Sequence, residues 1–323
     1  MNLHPFIEVE VNGNPVNDLF YSRLSKATIH DAPGQEADSV ELTFDDSNND
    51  IAVPSKGAVI LVRFGFRGSG AQKMGVFTYE KTRIEGGEQG EFLIISGRSA
   101  DMRSDIKEPL SEHFDEATVG DIVKQLASRH GMGAKIDPSL ENVSLPYVAR
   151  YEQSSADFLT RLADRTGAMF AVKDGKFLFL KRGILAPITI SKWECEGWSF
   201  EVEPRPLHGK VEAGWYDRSK NSVAYEAVET GLKGPSKRLR KVFASAAEAQ
   251  AAAGSERDRL CRATGSGSLT FAGRPDMMAD APIRTTDFRA EANGLWRCAG
   301  VDHTYQETYM TTVEIEAPEE GKE

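Results

Sequence analysis

Cysteine is scarce in this chain, with only Cys195, Cys261 and Cys298 among 323 residues. They stand far apart, form no CxxC pair and leave an odd count, a poor disulfide framework, so reduced thiols are expected. Histidine is scarce too. His4, His30, His113, His130, His208 and His303 are scattered, and no two have the i, i+4 or finger-like spacing of a metal site. No metal and no cofactor is expected. Apolar residues nowhere run for the roughly 20 positions needed to cross a bilayer, so no membrane span is expected. The opening segment holds Glu8, Glu10 and Asp18 and lacks an apolar stretch, which argues against a signal peptide. There is no P-loop, no GxGxxG opening a helix after a strand, and no GxSxG elbow. Basic residues are the minority, 39 Lys and Arg against 49 Asp and Glu, for a net charge of −10. That balance disfavours tight nucleic-acid binding through a basic surface. It suits a surface past which a polyanion moves without sticking, although solubility alone also accounts for it.

What is present is mostly β pattern. The length and the 40% hydrophobic content fit a soluble chain of two or three domains. Residues 1–105 alternate apolar and polar at 6–11 and 39–44, run apolar at 59–66, and give further strands at 76–79 and 92–96, punctuated by glycines. Many short strands with Gly-rich turns imply a barrel or sandwich. Residues 106–183 change period. Thr118 is placed to cap a helix carrying Val119, Ile122, Val123 and Leu126, with Asp121 at N3 and Gly131 as its stop. Ser154 or Ser155 caps a second helix with Phe158, Leu159 and Leu162 on one face, ended by Gly167. Asp174-Gly175 then joins two apolar runs as a hairpin. This segment reads as a small α/β domain. Residues 184–323 return to β, with strand candidates at 188–191, 198–202, 210–215, 222–227, 239–243, 268–271, 296–301 and 310–315. One helix interrupts them at 246–253, opened by a Ser245/Glu248 capping box and weakened or kinked by Gly254. Residues 317–323 read as a charged, frayed tail.

Candidate chemical sites are few, and each has a plainer reading. Asp45-Asp46 at a strand end fits a turn. Glu194 and Glu196 flank Cys195 beside Trp193 and Trp198, but a paired-carboxylate hydrolase needs a separation that spacing alone does not supply. His303 has no visible acid or nucleophile partner and reads as a strand-edge histidine bonded to backbone. The basic cluster at 237–241 reads as a charged strand edge that blocks unwanted pairing or meets an acidic neighbour, with phosphate contact the lesser alternative. Gly265-Ser266-Gly267-Ser268 reads as a flexible turn. Trp193, Trp198, Trp215 and Trp296 read as core residues, with sugar stacking as the alternative. No catalytic, cofactor-binding or metal-binding residue is therefore assigned.

The chain also echoes itself. Residues 54–64 (PSKGAVILVRF) lead through a polar loop to GVFTY at 75–79 and FLIIS at 92–96. Residues 275–284 (PDMMADAPIR) lead to GLWRCA at 294–299 and TVEIE at 312–316. The expected fold class is mainly β with an α+β insert: two similar β modules, each a barrel or sandwich, at 1–105 and 184–323, with the small α/β domain at 106–183 between them. Two similar modules per chain let three chains imitate a sixfold ring.

Four ordered stretches then carry a family resemblance: PFIEVEVNG at 5–13; DAPGQEADSVELTF at 31–44 with PSKG at 54–57; QSSADFLTRLA at 153–163 with Gly167-Ala168; and GLWRCAGVDH at 294–303 with TVE at 312–314. With these the sequence resembles the late control D family, the baseplate hub proteins of Mu-like contractile phage tails, over nearly its whole length. The resemblance implies that the two β modules are tube-like β-barrel domains, and that the chain forms a non-enzymatic homotrimer that joins a sixfold tail tube to a threefold central spike. Its partners would be the spike, the tail tube and baseplate wedge proteins, with DNA passing through the channel without specific binding. It would lie in the virion tail baseplate, in a phage, prophage or phage-derived injection device. The same fold heads the type VI secretion spike proteins; no repetitive β-helical segment precedes Glu323, so a separate spike protein is expected. A tail-associated peptidoglycan hydrolase and a carbohydrate-binding adhesin module are the alternatives.

Overall fold

The computed structural model describes residues 4–32, 38–88, 90–99, 106, 108–173, 175–181, 186–202 and 208–318. Both expected domain boundaries, part of the second resembling stretch, the hairpin residue Asp174 and most of the tail lie outside them. The fold is mainly β with an α/β insert, as expected.

The first β module comprises β1 (Pro5–Val11), β2 (Asn14–Pro15), the short helix α1 (Asp18–Arg23), β3 (Leu24–Asp31), β4 (Ser39–Asp45), β5 (Val59–Phe66), β6 (Gly70–Gly87) and β7 (Gly90–Ser99). Asn12 and Gly13 take positive φ in the turn after β1, as a tight hairpin requires. Alternation puts Val40, Leu42 and Phe44 on the buried face of β4, where they pack against Ile60, Val62, Phe64, Phe77, Leu93 and Ile95. β6 is far longer than its apolar signal at 76–79. The loop expected before Gly75 is only a three-residue turn, because Gly68 and Gly70 supply positive φ and let the strand start early.

The α/β insert follows: β8 (Leu110–Thr118), α2 (Val119–Arg129), β9 (Gly133–Ile136), α3 (Pro138–Glu141), β10 (Ser144–Gln153), α4 (Ser155–Thr166), β11 (Ala168–Lys173) and β12 (Lys176–Lys181). Thr118 and Asp121 form the full reciprocal capping box of α2, and Ser154 caps α4, which ends at left-handed Gly167. Its own core centres on Ile122, Leu126, Phe158, Leu159, Phe177 and Phe179. Beside that core Arg150 is fully buried. It donates to Gln153 O (2.7 Å), Glu108 O (3.2 Å) and Glu112 Oε1 (2.9 Å), and Arg129 grips the same Glu112 with two bonds of 2.8 Å. Those contacts, Arg129 first, hold the Glu112 carboxyl below its usual range.

The second β module comprises β13 (Ile188–Ser191), a 3-10 turn (Lys192–Glu194), β14 (Cys195–Val202), β18 (Gly265–Ala272), β19 (Pro282–Thr286), β20 (Gly294–Tyr305) and β21 (Tyr309–Glu316). Between β14 and β18 the chain detours through β15 (Lys210–Asp217), β16 (Ser222–Glu229), β17 (Ser236–Phe243) and α5 (Ala246–Arg262). Three of the expected strands thus form a separate sheet, in the order β16-β15-β17, packed on α5 through Val211, Ala213, Ala249 and Ala253. α5 runs past Gly254 to Arg262 without a break. Its Ser245 accepts from Glu248 N, but the Glu248 carboxylate accepts from Ala244 N instead of the cap residue.

The glycines of 265–268 do not make a turn; they open β18. A Cβ at Gly267 would lie 2.4 Å from Ser199 O, and one at Gly265 would lie 3.1 Å from the Trp296 ring. Glycine is there because backbone and indole approach too closely for a side chain.

The two modules share one strand order. The first runs β1-β5-β6-β7-β4-β3 and the second β13-β19-β20-β21-β18-β14, which is the same order taken strand for strand along the chain. Registers agree as well. Phe77 faces Ile60 and Gly75 faces Val62; Trp296 faces Ile283 and Gly294 faces Thr285. Each long strand bulges at a matching place, Glu80 against β7 and Ala299 against β21, and β6 has one further bulge, at Met74 against β5, that β20 lacks. Each outer strand bulges once, at Ser25 and at Glu196. Leu42-Thr43-Phe44 of β4 and Leu269-Thr270-Phe271 of β18 occupy matching positions. One pairing differs: β1 meets β5 antiparallel, whereas β13 meets β19 parallel.

Candidate assembly surface

The joint between the modules is a strand pairing. The second half of β20 lies antiparallel to β3, with Val301 opposite Asp31, Asp302 opposite His30, His303 opposite Ile29 and Tyr305 opposite Ala27. β20 can do this because its bulge at Ala299 turns it away after Arg297, the last residue paired with β19. His30 Nδ1 lies 2.7 Å from Asp302 Oδ1 across the pair. Asp31 Oδ2 accepts from Ala279 N at 3.0 Å. Beneath the sheet Phe64 of the first module packs against Tyr305 and Tyr309 of the second, at centroid distances of 6.0 and 5.1 Å. Backbone ladder, polar pair and aromatic seal fix the modules as one body.

His303 lies inside this joint, between β3 and β21, and not at a strand edge as its sequence position suggests. The neighbouring strands cover it on both sides, and it is buried. Its Nε2 faces Met277 O at 3.3 Å and so carries the proton, while Nδ1 accepts from the Tyr309 hydroxyl at 2.9 Å. Burial lowers its pKa to about 4. The ring is a neutral structural element.

The remaining candidates are not brought together. Asp45 accepts from Ser47 N and Oγ, and Asp46 from Asp50 N and Ile51 N, which are turn roles. Glu194 caps its own 3-10 turn at Ser191. None of the three cysteines is joined in a disulfide; burial lifts the Cys195 thiol to about 11 and the Cys298 thiol to about 12, so neither is a thiolate. Among the described residues no group of His, Cys, Asp and Glu is arranged to hold a metal, and no helix is long and apolar enough to cross a membrane.

The basic cluster lies on β17, an edge strand, as expected. Two of its charges are met within the chain. Lys237 reaches Glu256 at 2.6 Å and Arg238 reaches Glu212 at 2.8 Å. Glu256, bonded by Arg259 and Lys237, and Glu212, bonded by Lys210 and Arg238, are each held down to about 2.

The tryptophans divide. Trp296 is a core residue whose Nε1 donates to Ala292 O at 2.9 Å, and Trp215 is partly buried with Nε1 on Glu226. Trp193 and Trp198 are not core residues: they are 81% and 47% exposed, because they stand on the 3-10 turn and on β14, at the open end of the sheet. Lys192 Nζ lies 5.6 and 5.2 Å from their rings. The joint itself was not foreseen, since β3 carries no strong strand pattern. The recurrence of Leu-Thr-Phe in β4 and β18 was the available signal.

Comparison with known proteins fits this architecture. A family model described as the Alg8 N-terminal domain matches residues 16–187, over half of the chain, and stops where β13 begins. The probable baseplate hub protein of Escherichia phage 186 is 28% identical, over 96% of this chain and 92% of its own. The 43 kDa tail protein of prophage MuSo2 from Shewanella oneidensis superposes with a TM-score of 0.77 at 13% identity, covering 98% of this chain and 99% of that one. The E. coli c3393 protein, a type VI secretion component with structural similarity to T4 tail proteins gp27 and gp5, gives a TM-score of 0.57 at 14% identity, over 98% of this chain and 78% of that one. Over nearly its whole length the chain thus resembles phage baseplate hub proteins, which are structural proteins and not enzymes, and over residues 16–187 it belongs to the family described as the Alg8 N-terminal domain.

Proposed function

We propose that the chain is the trimeric hub of a contractile injection machine, an adaptor between a sixfold tail tube and a threefold central spike in the tail baseplate. The observation that carries this reading is the repeated strand order with matched bulges. Two equivalent modules per chain make six equivalent modules from three chains, so a threefold assembly offers a nearly sixfold face. We read residues 1–105 and 184–323 as the two tube-like domains, each closing into a barrel-like ring wall only in the company of its neighbours, and 106–183 as the α/β domain outside the ring. The spike, the tail tube and baseplate wedge proteins are the partners. DNA passes through the channel, and the net charge of −10 favours an acidic or neutral lining that does not hold it.

The test is mass and shape in solution. Light scattering should give three times the 35.5 kDa chain mass, alone or with the spike protein added, and negative-stain images should show a ring with six lobes. A chain that stays monomeric with and without the spike would overturn the reading.

A further inference from the structure

The internal repeat specifies a second joint. Inside the chain, the half of β20 beyond its bulge pairs with β3. The counterpart of that half is β6 beyond Glu80, and the counterpart of β3 is β14. Both counterparts have an open edge. β14 pairs only with β18, and β6 from Thr82 to Gly87 pairs only with β7, among the described residues. An open strand edge exposes unmet backbone donors and acceptors and invites another strand.

We infer that Thr82–Gly86 of one copy adds antiparallel to Trp198–Val202 of a second copy. The in-chain joint fixes the register. Asp302 faces His30 there, and carrying the bulge positions across places Arg83 opposite Glu201, Ile84 opposite Phe200, Glu85 opposite Ser199 and Gly86 opposite Trp198. Three observations agree with this occupant. The polar pair His30–Asp302 is replaced by a basic and an acidic residue. Ile84, 71% exposed, stands at the place of buried His303 and would be covered by the edge that also bears exposed Trp198. Among the described residues Arg83 pairs only with Glu85 of its own strand, at 3.0 Å, so it can turn to a partner. The two edges differ, so the contact is head-to-tail and closes into a ring when the rotation permits. This deepens the trimer reading and rests on it.

The test is a disulfide trap in a Cys195→Ser background, leaving buried Cys261 and Cys298 in place. The full chain carrying Glu85→Cys and Ser199→Cys should form reducible dimers and trimers on mild oxidation. Lys81→Cys with Ser199→Cys, four residues out of register, should stay unlinked on a non-reducing gel. Arg83→Glu, at an exposed site that leaves the fold alone, should weaken self-association on the order of tenfold. Trimer mass without the in-register link, or equal linking by both cysteine pairs, overturns the strand joint and leaves the trimeric hub standing. Monomer mass with and without the spike and no link overturns both.

Discussion

His303 shows how a residue that looks chemical in sequence is structural in the fold. Its ring is held neutral by burial, with a folded-state pKa of about 4. The ordinary value is near 6.5, so as pH falls the unfolded chain takes up the proton first. The stability contributed by the neutral ring is complete above about pH 6.5 and is lost as pH falls toward 4, an effect on the order of 3 kcal/mol. Urea unfolding between pH 4 and 7 should show stability rising with pH, and His303→Gln should flatten that slope. The glycines give a second contrast. At Gly267 an added methyl runs into the backbone oxygen of Ser199, so Gly267→Ala should cost about 1–3 kcal/mol. At Gly254, in the middle of α5, nothing lies within 4 Å, and Gly254→Ala should stabilise by about 0.5–1 kcal/mol. Denaturation midpoints of the two variants should therefore move in opposite directions.

Among the elements, legibility in the sequence followed local chemistry. The caps of α2 and α4, the stop at Gly167 and the hairpin strands β11 and β12 all follow from short-range rules, and all are found. Strands whose residues are charged and exposed were not legible. Among the described residues β8 (Leu110–Thr118) and β10 (Ser144–Gln153) pair only with each other and bury few apolar side chains, Phe114, Leu145 and Val148, so no alternation announced them. β3 was missed because Ala27 and Ile29 are its only fully buried positions. The order of strands, and the pairing of one edge of β20 first with β19 and then with β3, depend on contacts far apart in sequence that no local pattern encodes. The detour between β14 and β18 illustrates this. Val202 pairs directly with Gly265, so everything between them hangs from two adjacent strand ends. In the first module the same connection is only the short stretch of sequence between Asp31 and Ser39. Replacing residues 203–264 by a two-residue Asn-Gly turn should therefore leave both β modules folded. Circular dichroism should show the loss of α5, and hydrogen exchange should show protection retained in β18 and β21. Loss of that protection would mean that the detour is part of the module core.

At the scale of the whole molecule, charge and assembly bear on one another. A ring that conducts a polyanion must attract it weakly, since each phosphate neutralised by Lys or Arg adds affinity through counterion release. This chain carries a net charge of −10, and within its principal basic strand Lys237 and Arg238 are already tied to Glu256 and Glu212. Assembly through the β6 and β14 edges would also consume Arg83 against Glu201, removing one more exposed cation. The expected behaviour is therefore no measurable retention of duplex DNA by the assembled protein at about 50 mM salt and protein concentrations of about 10 μM, conditions under which ordinary nonspecific binders are retained. Fluorescence anisotropy with a labelled duplex is the direct measurement. Binding tighter than about 1 μM that weakens steeply as salt is raised would show phosphate contacts, and the channel lining would then have to be basic, with the polymer gripped instead of released.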